Sequence, residues 1–401
     1  MEFYKQLLKI IMLNIMKLIP TSEDYIYFRN IWGKYNDNTM YISEKIKKTN
    51  PELVCIWELN DVTSNDLPDD IIKVKTNTLK SFYLKSRSKI IIDNDIGYIT
   101  KTYKSDSIVK KMLYAGTKNK KQLNISTWHG TPLKRIFKDI PNSYYNDFFS
   151  TTDLIAVGDR HTAKILERAT FGKHKIEVVG SPRNDELFQI DKQKQNKLKE
   201  KLNLPKEKKV VLFAPTFRSG YNKLTDMYRS GIQQLEQINI RVLLNTLSNK
   251  FGGEWVLVYR LHPGVMKEFD TSFLEKEYIG QIYNGNYGND MTEYLIVSDV
   301  LITDYSSSMF DFIITGKPCF LFCPDLDNYE KNERGFYFDI KKLPFSVAED
   351  FKSLLNNINI FSLDDYKIKA KKFLSNVGNA DDGCATDRII SVIYKYLNKK
   401  E

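Results

Sequence analysis

The sequence predicts an α/β protein built from two doubly wound domains. Short apolar runs alternate with polar, helix-like segments along most of the chain, turn residues bound the runs, and 401 residues exceed one ordinary core. Two domains of about 150 to 200 residues each are the default for such a length. Apolar residues at 42% and aromatics at 13% suffice for packed interiors and exclude a chain disordered as a whole.

Residues 1–20, "MEFYKQLLKIIMLNIMKLIP", come first. At about 100° per residue, Glu2, Lys5, Gln6, Lys9 and Lys17 share one arc opposite a wide Leu/Ile/Met face. Lys9, Asn14 and Lys17 interrupt the run too often for a spanning helix, and no small-residue cleavage site comes after it. The segment reads as an amphipathic helix lying on a membrane surface, or as a helix packed on the protein body.

From 21 to 190 the runs "YIYFRNI", "ELVCIWEL", "SKIIIDND", "LNISTW", "LIAVG" and "KIEVVG" predict parallel strands covered on both faces. Residues 191–208 are dense in Lys, Gln and Glu, nearly free of aromatic and β-branched residues, and read as a solvated helix and turn that forms the linker. The alternation resumes over 209–380 with "KVVLFAPTFR", "EWVLVYRLHPG", "DVLITDYSSS" and "KPCFLFCPD", which predicts the second domain. Residues 381–401 have apolar positions at helical spacing and a basic end, as a terminal helix does.

Sixty Lys and Arg against fifty Asp and Glu leave a net charge of +10, which suits a polyanionic partner or reflects biased composition alone. No aromatic-basic nucleic-acid motif accompanies the charge, so an anionic membrane surface or a phosphorylated substrate is the expected partner and nucleic acid is not. The four cysteines, Cys55, Cys319, Cys323 and Cys384, form no C-x-x-C pair and read as buried thiols in a reducing compartment.

Open α/β sheets bind ligands beyond the C-terminal ends of their strands, so chemistry is sought there. His129 and Gly130 directly succeed "NISTW", and Lys134 and Arg135, just after Pro132, read as the opening of a helix that faces phosphates. His129 suits a general base, since imidazole titrates near neutrality; a strand-end histidine satisfied by backbone groups is the plainer alternative. His262 repeats the arrangement after "WVLVYRL", beside Arg260, whereas His161 and His174 read as surface residues. A third strand ends at Asp304, where Ser306 and Ser307 offer a helix cap and hydroxyl donors to an anion. Arg183 in "GSPRND" and Arg218 in "APTFRSG" present planar forks to phosphate or to a carboxylate. "DND" at 93–95 fits a turn at a strand end. Dinucleotide, P-loop, zincin and nucleophile-elbow motifs are missing from the sequence, so no metal or cofactor is expected.

Seven stretches, "TWHGTPLK", "GSPRNDELF", "APTFR", "RLHP", "SDVLITDYSSSMFDF", "KPCFLFCPDLDNYEKNERGFYFD" and "DDGCATDRI", occur in one order over roughly residues 90 to 395. Together they resemble the CDP-glycerol glycerophosphotransferase family of teichoic-acid and capsule synthesis. The first 90 residues match only loosely, around "IWGKYNDN", and "KKLPFSVAED" stands where the family often has a Pro-Gly-Pro run. The resemblance implies two Rossmann-like domains of the GT-B type, peripheral attachment to the cytoplasmic face of the membrane, and a CDP-polyol donor. It further implies transfer of glycerol phosphate, or another polyol phosphate, to a lipid-linked polyol-phosphate or glycan acceptor, with release of CMP. In that family His129 corresponds to the histidine regarded as the base, and His262 with Arg260 to a second essential histidine near the donor diphosphate. Asp304, Ser306 and Ser307 fall in the donor loop, and Arg183, Asn184, Arg218, Asp311 and Arg334 on other signature positions; the charges of Lys134 and Arg135 beside His129 read as a cationic acceptor entrance. A glycosyltransferase using a nucleotide sugar, and a non-catalytic basic membrane-binding protein, are the competing readings.

Overall fold

A computed structural model of the chain describes Ile11, Ile15 and residues 18–95, 119, 121–140, 152–170, 174–216, 233–261, 272–286, 290–332 and 335–397. The surface helix expected over residues 1–20 therefore lies largely outside the described residues, as do His262, Arg218 and Arg334 entirely. Among the described residues no helix is long and apolar enough to cross a membrane.

Two compact units emerge, one of Met1–Gly130, Ile136–Asp185 and Gly378–Glu401, the other of Thr131–Arg135 and Glu186–Val377. In the first, the described strands are β1 (Ser22–Arg29), β2 (Val54–Leu59), β3 (Ile72–Lys75), β4 (Ser88–Asp93), β5 (Leu123–Ser126), β6 (Leu154–Val157) and β7 (Lys175–Val178). They pair in parallel in the order β3-β2-β1-β4-β5-β6-β7, the doubly wound arrangement. Alternation along β1 explains the two layers. Ile26 and Phe28 enter a core with Trp57, Ile42 and Ile46, while Tyr27 points to the opposite face with Ile56, Val74, Leu84 and Ile91.

The C-terminal helix Ala385–Leu397 belongs to this unit rather than forming a trailing element. Its Ile389, Ile390 and Ile393 join the Ile26 core, each such burial contributing about 1.5–3 kcal/mol. Its first amide groups are satisfied from far away in sequence: Ala385 N and Thr386 N donate to the Asp185 carboxyl at 2.9 and 2.8 Å. Gly180 beside this junction has φ +88°, and a Cβ there would lie 2.8 Å from Ala385 Cβ and 3.2 Å from Ala380 O. Gly180→Ala is accordingly expected to destabilise the protein by about 1–3 kcal/mol, measured by chemical denaturation; an unchanged midpoint would contradict the close approach.

In the second unit the described strands are β8 (Lys209–Ala214), β9 (Trp255–Tyr259), β10 (Ile282–Asn284), β11 (Val300–Thr303), β12 (Cys319–Phe322) and β13 (Ser346–Ala348). All pair in parallel, in the order β10-β9-β8-β11-β12-β13, the same winding as in the first unit. Central strand β8 is buried on both sides. Val210, Leu212 and Ala214 face a core shared with helices Met291–Val297 and Leu363–Val377, and Val211 and Phe213 face one shared with Ile240–Phe251 and Phe351–Ile360.

Within residues 191–208 the expected helix spans Lys192–Lys201, and it is grouped with this unit rather than standing apart from it. Asp191 caps Lys192–Lys201 through Lys194 N at 2.7 Å, Leu198 and Leu202 pack on the core at an i, i+4 spacing, and Leu204 is buried. Two leucines on a short helix suffice to dock it. Cys55, Cys319 and Cys323 are buried as expected, but Cys384 is exposed because it lies in the turn before the C-terminal helix, not in a strand. His161 and His174 are half-buried rather than surface residues, and His174 Nδ1 lies 2.9 Å from the Thr152 carbonyl.

Candidate active site

Parallel pairing of β4 with β5 brings their C-terminal ends side by side, so the turn after Asp93 meets the turn after Ser126. Thr127 N donates to Asp93 O at 2.8 Å and extends the ladder by one rung. The chain then bends sharply. Trp128 has φ +50°, an outlier for a bulky residue at a cost of about 1–3 kcal/mol, and Gly130 has φ +119°, where glycine is favoured. Trp128 is buried, its Nε1 donates to Gly130 O at 2.8 Å, and its ring lies against the imidazole with centroids 4.0 Å apart.

This turn leaves His129 exposed at the strand ends, with Nδ1 2.9 Å from the carbonyl oxygen of Asn94. A carbonyl only accepts, so Nδ1 of the neutral ring carries the proton and Nε2 keeps its lone pair. The imidazole is thus held at Nδ1 by a backbone group, the plainer of the two arrangements its spacing allowed.

Arg183 does not offer its fork to phosphate. It is buried, with Nη1 2.7 Å from Asp37 Oδ1 and Nη2 donating to the His129 carbonyl at 3.1 Å. Asn184 is buried too; its Nδ2 donates to Asp381 Oδ2 at 3.0 Å, while Ser181 N donates to Asp381 Oδ1 at 2.6 Å. The "GSPRND" stretch is therefore a clasp between the His129 turn and the start of the C-terminal helix. Its polar side chains are consumed inside the unit.

Asp93 lies 3.4 Å from Arg29 Nε and also accepts from Asp95 N at 2.9 Å. Burial, opposed by the Arg29 charge and reinforced by Asp95, pushes its carboxyl up to about 6. The folded state thus holds this proton more tightly than the unfolded state, and the group's contribution to stability falls as pH rises from about 4 to about 6. Asp93→Asn removes that dependence. Its unfolding free energy minus that of the native protein should rise by about 2 kcal/mol between pH 4 and 7 in denaturant titrations; a flat difference would contradict the shift.

In the second unit the strand end at β11 leads into Asp304, which is fully buried. Its Oδ1 accepts from Thr216 N and Oγ1, both at 2.8 Å, and from Tyr305 N at 2.6 Å, and Oδ2 accepts from Gln234 Nε2 at 3.2 Å. The expected ligand contact of Asp304 gives way to an organising role, because its oxygens are occupied by the loops they tie together. Ser306 and Ser307 are half-buried beyond it. Ser306 Oγ lies 2.9 Å from Ser308 Oγ and accepts from Ser308 N at 3.3 Å, whereas Ser307, at the N-cap of Ser308–Phe312, makes no side-chain cap bond; of the serine hydroxyls, that of Ser306 meets a helix amide. Asp311 is buried within that short helix.

Arg260, expected at the donor diphosphate, is buried, with its guanidinium 4.6 Å from the Tyr294 ring centre and Nη1 donating to the Gly285 carbonyl. Burial draws its pKa below the ordinary guanidinium value, partly offset by Tyr294, Asp290 and Glu293. Its charge is spent on packing β9 and β10. Lys134 and Arg135 do not open a helix: Lys134 bridges Phe336 in extended geometry, Arg135 N donates to Gly335 O at 3.0 Å, and Lys134 Nζ lies 5.6 Å from the Tyr329 ring centre. Arg135 is exposed.

The residues that hold His129, namely Asp37, Asn38 and Asn94, carry no local spacing signal. Only the loosely matching "IWGKYNDN" and the "DND" turn marked their neighbourhoods. Among the described residues no group of three or more His, Cys, Asp or Glu is arranged to hold a metal ion.

The model of the family described as CDP-glycerol:poly(glycerophosphate) glycerophosphotransferase matches residues 11–395. A teichoic acid poly(glycerol phosphate) polymerase of Staphylococcus epidermidis is 30% identical over 94% of this chain, which spans about half, 51%, of that protein's length. A teichoic acid glycerol-phosphate transferase of Staphylococcus aureus is 28% identical over 93% of this chain and 94% of its own. Among solved structures, one of the wall teichoic acid polymerase TagF superposes with a TM-score of 0.79 at 26% identity, covering 99% of this chain and 98% of that one. Another, of TagF soaked with CDPG, gives 0.77 at 25% identity. The motifs in order, the two doubly wound sheets and this match over nearly the full chain have one reading: the protein belongs to the CDP-glycerol:poly(glycerophosphate) glycerophosphotransferase family.

Proposed function

We propose that this chain transfers glycerol phosphate, or another polyol phosphate, from a CDP-polyol such as CDP-glycerol to a hydroxyl of a lipid-linked or polymeric acceptor, releasing CMP, in teichoic acid or capsule synthesis. The observation that carries the proposal is His129, exposed at the strand ends with Nδ1 engaged by the Asn94 carbonyl and Nε2 left as an acceptor. Nε2 takes the acceptor hydroxyl proton as the oxygen attacks the β-phosphorus. The new P–O bond forms, the bond to the CMP oxygen breaks, and CMP leaves with its electron pair.

The Ser306 and Ser307 hydroxyls beyond β11 supply donors to diphosphate oxygens, and Lys134 and Arg135 supply positive charge. His262, Arg218 and Arg334 complete the donor side by family correspondence, and the reading includes a GT-B arrangement of the two units. It includes no resident cofactor, since no cofactor motif is present in the sequence. The net charge of +10 supports work beside an anionic, lipid-linked polymer at the cytoplasmic face of the membrane. Incubation with CDP-glycerol and a polyol-phosphate acceptor should yield CMP and a new phosphodiester in equal amounts by phosphorus NMR. CMP without the phosphodiester would mean hydrolysis and contradict transfer.

A further inference from the structure

We propose that Asp37 is a positioning residue for the reaction, fixing the tautomer and orientation of His129 through Asn94 and Arg183. This rests on His129 being the base. Two groups hold the histidine: the Asn94 carbonyl oxygen faces its Nδ1 at 2.9 Å, and Arg183 Nη2 donates to its own carbonyl at 3.1 Å. Both belong to residues whose side chains end on the Asp37 carboxylate. Arg183 Nη1 reaches Oδ1 at 2.7 Å and Asn94 Nδ2 reaches Oδ2 at 2.8 Å.

Asn94 is pinned from a second side, its Oδ1 accepting from Ile31 N at 2.9 Å. Its main-chain carbonyl is thereby aimed at the imidazole. The neighbour of Asp37 completes the hold: Asn38 Nδ2 lies 3.2 Å from Thr127 O and 3.1 Å from Trp128 O, and its Oδ1 accepts from Arg183 N at 3.1 Å. The Thr127 and Trp128 carbonyls are therefore tied to Asn38, and that of His129 through Arg183 to Asp37, at the start of the helix Asp37–Thr49. That is the over-determination a left-handed Trp128 requires.

Asp37 itself stands at φ +61°, a strained placement that brings both its oxygens to these partners. Burial pushes its carboxyl up, but the Arg183 charge and hydrogen bonds from Arg183, Asn38 and Asn94 outweigh this and hold it below the usual range. The group remains an acceptor-only carboxylate, able to orient two donors at once. Orientation of a reacting group by a second residue is the kind of support whose loss costs turnover rather than donor affinity.

The test uses the full chain with Asp37→Asn and, because that change leaves Arg183 buried without its partner, Asn94→Ala as a second variant that strands no charge. Two quantities are read: kcat and donor KM for CMP release, and the ring nitrogen-15 shifts of His129, assigned by their loss in His129→Gln. The expected result is a kcat lowered about 10- to 100-fold with donor KM within about twofold, and a His129 ring departing from the Nδ1-protonated pattern. Native kcat, or a native ring pattern, in a folded Asp37→Asn overturns the proposal; if that variant does not fold, the same readings on Asn94→Ala decide it. Full turnover by His129→Ala in the same assay would instead remove the base reading, while the ring spectrum still judges Asp37.

Discussion

Replacing His129 by alanine is expected to lower turnover by roughly 10²- to 10⁴-fold while the fold is retained, the range a positioned general base contributes. The imidazole is exposed, so its removal opens no cavity and strands little. The partner left behind is the Asn94 carbonyl, which water can reach once the ring is gone. On the proposed base role the loss should fall on kcat, since the ring would act on the acceptor hydroxyl as the new bond forms and not on the bound donor. His129→Asn, whose amide nitrogen falls near the Nδ1 position, keeps a donor for the Asn94 carbonyl without a base, and should be nearly as inactive as the alanine variant. A folded alanine variant with native kcat would remove His129 from the chemistry.

The second large effect concerns stability. Asp304→Ala is expected to cost roughly 3–5 kcal/mol, because a fully buried carboxyl that receives Thr216 N, Thr216 Oγ1, Tyr305 N and Gln234 Nε2 is withdrawn from all four. Asp304→Asn should cost far less. Its remaining oxygen can take the position that receives three of those donors, and the Gln234 amide can turn to accept from the new NH₂ group. Denaturation midpoints of the two variants check this: alanine near the native value, or asparagine as damaging as alanine, would contradict the organising role of Asp304.

Strand positions were legible because fully buried parallel strands read as continuous apolar runs; "LIAV" of β6 and "KVVLFA" of β8 have few other structural meanings. The strand-end location of His129 came from the same reading. Its support was not legible: Asn38 reaches the Trp128 carbonyl across 90 positions and Arg183 reaches Asp37 across 146, distances over which sequence spacing carries no information. The C-terminal helix was legible, but not where it docks, since the Asp185 carboxyl that receives its first amides lies 200 positions before Ala385. The helix Lys192–Lys201 was legible as a solvated helix, but its docking was not, since Leu198 and Leu202 are easily lost among lysines. Arg183 shows how chemistry leaves partners open: an arginine beyond a strand suits phosphate or carboxylate alike, and the fork is packed on the Asp37 carboxylate of its own unit.

The measurement that bears most directly on the proposed activity is acceptor-dependent CMP release by the purified protein, with CDP-glycerol, CDP-ribitol and a set of nucleotide sugars offered separately to a lipid-linked or short polyol-phosphate acceptor. The expected result is release of CMP from a CDP-polyol only when acceptor is present, and a steep loss of that release in His129→Ala. Turnover of a nucleotide sugar with both CDP-polyols silent, on acceptors shown to be competent, would contradict polyol-phosphate transfer.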